Sequence, residues 1–192
     1  AEDLRDLPAT LCLAQEMGAG LGSGQILFRT MPSPDCPQRR FMIAAIYWFR
    51  QDLRLHDNPA LLNAIAKTDT LLPVCTALDE QPSPWLSQRV GPHRRAFVEQ
   101  ARTGLRDSLR AKGSNLLILP GDAVSALVNT ARHYNIQQVF CEDIAAPEEQ
   151  AAVAALRAHG LTVVTHWQSS LLMPEQLPFK PEALPGVFSQ FR

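Results

Sequence analysis

Residues 43–61 read IAAIYWFRQDLRLHDNPAL, and this stretch decides the fold. Ile43 to Phe49 is an unbroken run of apolar and aromatic residues, as expected of a strand buried on both faces of a parallel sheet. The end of the stretch reads as a helix start. Asp57 or Asn58 can cap it, Pro59 suits its first turn, and Ala60, Leu61, Leu62, Ala64 and Ile65 follow. Strand, polar loop and helix in that order make half of a βαβ unit.

Downstream, the alternation repeats. Leu71 to Thr76 reads as a second strand. A loop containing Pro82, Pro84, Trp85, Gly91 and Pro92 then leads to a helix. Its Phe97, Ala101, Leu105 and Leu109 recur every four residues and predict one buried stripe ending before Gly113. Leu116 to Leu119 is a third strand, and Pro120 and Gly121 turn the chain into a helix with Val124, Leu127, Val128, Ala131 and Tyr134 on one face. Gln138 to Cys141 is a fourth strand. Pro147 opens a helix that buries Ala152, Val153 and Leu156 and stops at Gly160, and Thr162 to Thr165 is a fifth strand. The pattern predicts an α/β domain over residues 42–170, a doubly wound five-stranded parallel sheet with helices on both faces. Ligands of such folds sit beyond the carboxyl ends of the strands, here Arg50 to Asn58, Ala77 to Pro92, Gly121 to Ala123 and Glu142 to Glu149. From Leu171 to Arg192 the chain is Pro-rich and irregular, without an expected packed element.

Upstream, residues 1–41 hold Gly18, Gly20, Gly22, Gly24, Pro32, Pro34 and Pro37 without sustained periodicity, and read as a flexible tail or upstream extension. The Gly-Ala-Gly-Leu-Gly-Ser-Gly run is a linker rather than a dinucleotide loop. Ser23 stands where the third glycine belongs, and no strand precedes it.

Composition narrows the function classes. Lys and Arg total 18 against 19 Asp and Glu, so no overall charge favours nucleic acid or an anionic membrane. Cys12, Cys36, Cys75 and Cys141 are far apart, with no CxxC pair and no His at ligand spacing, which suggests neither a zinc site nor a disulfide framework. With no apolar run long enough to cross a bilayer and no signal-peptide pattern, the chain is expected in the reducing cytoplasm. No triad, metal cluster or phosphate loop is present, so no residue is assigned a catalytic role.

Two features could carry chemistry. The loop after the first strand packs Arg50, Asp52, Arg54, Asp57 and Asn58 together, and charge-assisted hydrogen bonds among them could lock the turn. The same loop could instead hold a ligand or a neighbouring domain at the sheet edge. Cys141, at a strand end with no His and Asp partner set, reads as a small buried hydrophobe.

The run WFRQDLRLHDNPAL resembles the opening motif of the photolyase and cryptochrome family. Gly91-Pro92-His93-Arg94-Arg95-Ala96-Phe97, followed by Leu105-Arg106, is similar to a helix start of its DASH-type cryptochromes. Leu177-Pro178-Phe179 and Leu184-Pro185-Gly186-Val187-Phe188-Ser189-Gln190-Phe191-Arg192 resemble the segment by which that subgroup leaves its α/β domain, making residues 171–192 the expected start of an interdomain linker. The likeness covers about residues 42–192. It departs in the loop from Asp79 to Val90, which is short, and in the uncharged Val153 and Ala154.

The resemblance implies an amino-terminal antenna domain, in a family whose light-driven activity is deoxyribodipyrimidine photo-lyase. A separate helical domain, in a longer or a second chain, would hold FAD and contact DNA. This chain alone is therefore expected to be inactive, to bind neither FAD nor DNA, and not to use Trp48, Trp85 or Trp167 for electron transfer. The implied antenna is a folate of the methenyltetrahydrofolate type. Its pterin would be anchored by an acidic residue opening the helix after the fourth strand, where Glu148 and Glu149 stand. Acidic residues in a first helical turn also complement the helix dipole without any ligand. An α/β interaction or regulatory module with no chromophore is the other reading of the same domain.

Overall fold

A computed structural model of the chain describes residues 11–13, 28–30, 43–78, 90–170, 172–177, 179–180, 183 and 186–191. The strands are β1 (Leu11–Leu13), β2 (Phe28–Thr30), β3 (Ala44–Phe49), β4 (Thr70–Thr76), β5 (Leu117–Leu119), β6 (Gln138–Asp143) and β7 (Thr162–Trp167). The helices are α1 (Pro59–Lys67), α2 (Pro92–Ala111), α3 (Ala123–His133), α4 (Pro147–Ala158) and the short α5 (Phe188–Phe191).

Five strands run parallel in the order β5-β4-β3-β6-β7, the doubly wound sheet expected from the sequence. Among these five strands the path starts in the middle with β3, moves outward through β4 and β5, and returns through α3 to the other side of β3. The order therefore reverses between β3 and β6. Beyond that order, β2 pairs antiparallel with the start of β4, and β1 pairs antiparallel with β2. The absence of periodicity in residues 1–41 does not announce these two three-residue strands.

Side chains alternate along β3 and split the core in two. Ile46 and Trp48 face α3 and α4 with Leu127, Val128, Ala131, Val153 and Leu156. Ala45, Tyr47 and Phe49 face α1 and α2 with Ala60, Leu61, Ala64, Leu105 and Leu109. Both faces are covered, which is why β3 carries no polar alternation. Val153 is 1% exposed, so an uncharged residue there suits its place against the sheet.

Local chemistry fixes the helix starts. Asn58 caps α1, its side chain accepting from the Leu61 N–H, with Pro59 in the first turn. Asp122 caps α3 by accepting from the Ser125 N–H at 2.8 Å, and this donation holds its carboxyl below the usual range. Gly121, at φ +80°, makes the turn before that cap.

The predicted stripe of α2 is corrected at one end. Leu105 and Leu109 are buried, but Phe97 is 70% exposed. A four-residue step overshoots a full turn by about 40°, so three steps carry Phe97 about 120° round from Leu109. The sheet-facing positions include Arg102, 5% exposed, whose guanidinium bonds the Thr76 carbonyl and Glu99 Oε1. Replacing Phe97 with Ala is expected to change the unfolding free energy by less than about 0.5 kcal/mol, measured by urea denaturation.

Two elements depart from the expectation for the last residues, where the structure places a 3₁₀ turn at Pro174–Gln176 as well as α5. Trp85 and most of the loop from Asp79 to Val90 lie outside the described residues.

Candidate functional site

The reversal of strand order puts the carboxyl ends of β3 and β6 side by side, and the loop Arg50–Asn58 leaves from one of them. Asp52 is the centre of that loop, 2% exposed. Its Oδ2 lies 2.7 Å from the Tyr47 hydroxyl and accepts from Asn58 Nδ2 and Gln168 Nε2, each at 2.9 Å. Its Oδ1 accepts from the Arg50 N–H at 3.1 Å. Burial above all, with the Asp52 charge next, pushes the Tyr47 phenol well above its usual range, so Tyr47 stays a donor. Asn58 Nδ2 also donates to the Arg54 carbonyl at 3.1 Å, and Gln168 Oε1 accepts from the Ala60 N–H at 3.0 Å. One buried carboxylate thus ties together β3, the start of α1 and the turn after β7.

The charges of the loop do not pair as the sequence suggested. Arg50 leaves the loop and crosses to β6 and α4. It bonds the Glu142 carbonyl at 3.3 Å and the Glu149 carbonyl at 2.9 Å, and forms an ion pair with Glu149 Oε2. Its guanidinium lies 4.5 Å from the centre of the Trp48 ring, and its side chain is 2% exposed. Arg54 and Asp57 do pair within the loop, but at 3.9 Å, with Asp57 exposed and Arg54 half-buried, and Arg54 Nε also donates to the Asp57 carbonyl at 3.0 Å. Asp57 takes φ +48°, which its short side chain tolerates.

Glu148 and Glu149 both lie in the first turn of α4, beside this junction. Glu148 is exposed, whereas Glu149 turns back to Arg50 and leaves its Oε1 3.5 Å from Gln51 Nε2. The two glutamates of the sequence reading are therefore unequal. One faces out and one is held by an arginine.

Sequence reasoning missed Glu142, which is 6% exposed at the end of β6. Its Oε1 accepts from Ser169 Oγ at 2.8 Å, and its Oε2 is buried without a hydrogen-bond partner among the described residues. Burial raises its pKa above the ordinary carboxylate range, the Ser169 bond working against that and Asp52 adding to it. The two cysteines of the described core, Cys75 and Cys141, are free and buried. Burial pushes Cys141 up to about 11 and raises Cys75 as well, so both are protonated thiols. Among the described residues no cluster of His, Cys, Asp and Glu could hold a metal ion, and no helix is long and apolar enough to cross a membrane.

The sequence model of DNA photolyase matches residues 45–192. A cryptochrome DASH of Natronomonas pharaonis is 32% identical over 157 residues, covering 79% of this chain and 33% of that protein. The blue-light photoreceptor PHR2 of Arabidopsis thaliana is 33% identical over 167 residues, covering 84% of this chain and 37% of the relative. The crystal structure of a Synechocystis cryptochrome superposes with a TM-score of 0.72 at 26% identity, over 79% of this chain and 33% of that one. An archaeal photolyase from Sulfolobus tokodaii, described with two FAD molecules and as implying a novel light-harvesting cofactor, shares the fold at a TM-score of 0.59 and 23% identity. It covers 71% of this chain and 32% of that one. The chain thus spans about a third of the length of the relatives it matches.

Proposed function

The chain belongs to the DNA photolyase family, and from that premise we propose that it is a light-harvesting domain whose antenna is a folate of the methenyltetrahydrofolate type. The observation that carries this reading is the exposed Glu148 carboxylate opening α4 beside the reversal of strand order, where doubly wound sheets take their ligands. A carboxylate there can accept from the adjacent amine and ring N–H donors of a pterin together. Glu149 fits a positioning role, because Arg50 holds it and with it the first turn of α4.

A bound folate would absorb near-ultraviolet or blue light and pass the excitation on. Energy transfer moves no proton, so the task of these side chains is to bind and orient, and the raised pKa values around β6 are not required for it. FAD, and the light-driven repair of pyrimidine dimers or blue-light sensing that goes with it, we assign to the part of the family's length that these 192 residues do not span. On that assignment a polypeptide of these residues passes through gel filtration without FAD. Stoichiometric FAD in the eluted protein would overturn it.

The alternative is an α/β interaction module without a chromophore, and one observation favours it: the Arg50 pair already satisfies Glu149. Absorbance after reconstitution with methenyltetrahydrofolate separates the two. A near-ultraviolet band that travels with the protein supports the antenna, and its absence supports the module. If the part of the family's length that these residues do not span supplies a second wall of the site, binding to this domain alone is expected at about micromolar affinity or weaker.

A further inference from the structure

β7 ends the sheet on one side, with β6 along its inner edge and, among the described residues, no strand along its outer edge. The strands on the other side, β1 and β5, have three residues each, and such short edges offer little to pair with. β7 is longer. Its six residues, Thr162–Trp167, read TVVTHW, rich in β-branched residues and without the Lys, Asp, Glu or Pro that commonly blunt an exposed edge. The directions of its peptide groups are fixed by β6. The Thr162 N–H donates to the Gln137 carbonyl at 2.9 Å, so Thr162, Val164 and His166 turn their peptide groups inward. Val163, Thr165 and Trp167 turn theirs outward. Arg157 agrees with this, its Nη2 reaching from α4 to donate to the Val163 carbonyl at 3.0 Å. The outward groups of Thr165 and Trp167 have no partner among the described residues.

We infer that this edge is an interface between two copies of the chain, paired antiparallel through β7 about a two-fold axis at Thr165. Opposed residues of an antiparallel pair either both turn their peptide groups to the partner or both turn them away, so outward residues must meet outward residues. With the axis at Thr165, all three do. Thr165 meets the partner's Thr165, Val163 meets the partner's Trp167, and between them Val164 lies opposite the partner's His166. These are Thr–Thr and aromatic–β-branched pairs, combinations that stabilise neighbouring antiparallel strands. Moving the axis by one residue in either direction leaves one outward residue of each copy beyond the end of the other's strand.

Charge at the two ends of the strand favours the same arrangement. Arg157 stands at the Val163 end, and Asp143, the register partner of Trp167, stands at the other. Antiparallel pairing sets the basic end of each copy beside the acidic end of its partner. The contact is isologous and occupies the β7 edge of both copies, so assembly through it closes at two. This inference needs no chromophore and stands apart from the antenna reading.

Sedimentation velocity on the full chain, over a concentration series up to about 1 mM, tests this. A contact made by one strand edge and its flanks is small, so the wild type should dimerise weakly, with a dissociation constant of about 100 µM. Thr165→Lys and Thr165→Glu each set like charges directly opposite one another on the axis, so each alone should associate at least about tenfold more weakly. An equimolar mixture of the two sets opposite charges there and should dimerise within a few-fold of the wild type. A wild type that stays monomeric at about 1 mM would overturn the interface. So would charged variants that each dimerise like the wild type, or a mixture that gains nothing over its components, because any pairing would then lie elsewhere or in another register. Should either charged variant not fold, Thr165→Pro takes its place. It removes an outward N–H that the sheet does not use, a position where an edge strand accepts proline, so it should be folded and monomeric. A Thr165→Pro dimer as tight as the wild type would overturn the interface equally.

Discussion

Replacing Asp52 with Ala lowers the unfolding free energy by about 3 kcal/mol, because it removes the shared acceptor of two buried and two part-buried donors, the buried ones each worth about 1 to 3 kcal/mol when orphaned. Those donors are the Tyr47 hydroxyl, Asn58 Nδ2, Gln168 Nε2 and the Arg50 N–H. Tyr47 still finds Asn58 Oδ1 at 2.9 Å, and Asn58 Nδ2 keeps the Arg54 carbonyl, so the loss is less than the sum. Urea denaturation at neutral pH measures it. The neighbouring charge pair sets the contrast, since Arg54 is half-buried, Asp57 is exposed and the two are 3.9 Å apart, and Arg54→Ala should move the same midpoint by about 0.5 kcal/mol or less. If Asp52→Ala and Arg54→Ala have equal effects, water enters the network and Asp52 is not its keystone.

That contrast also shows where the sequence was readable. The five parallel strands and the helices between them follow from local signals: apolar runs, caps at Asn58 and Asp122, and Pro59 and Pro147 in first turns. The density of charge in Arg50–Asn58 marked the loop that carries the buried Asp52 network. What local reading could not give was which partner each charge takes, because the partners arrive from elsewhere in the fold. Arg50 meets Glu149 across 99 positions, and Asp52 meets Gln168 across 116. Tyr47 was legible as a core aromatic, but its hydroxyl acquires a role only when the loop folds back over the strand. Glu142 was hidden by its surroundings. A carboxylate at a strand end reads as solvated unless a later turn covers it, and here Ser169 belongs to that turn. Phe97 failed for a simpler reason, since four-residue spacing followed far enough rotates off the buried face.

The unequal settings of the two α4 glutamates turn the antenna proposal into a measurement. Glu148→Gln keeps size and helix propensity but removes the charged acceptor. Methenyltetrahydrofolate binding by fluorescence titration should therefore weaken by about tenfold, or about 1.5 kcal/mol for a charge-assisted hydrogen bond. Glu148 is exposed in the first turn of α4, so that variant should lose no more than about 1 kcal/mol of stability, the scale of a helix-dipole interaction. Glu149→Gln acts differently. It leaves the Arg50 guanidinium, 2% exposed, with carbonyl acceptors and no counter-charge, so the fold should lose about 2 kcal/mol whether or not folate is present. The double variant should show both losses together. Equal folate affinity in the wild type and the double variant would remove the glutamates from the antenna site. Glu148 would then serve only the helix dipole, and Glu149 only the arginine that crosses from β3 to reach it.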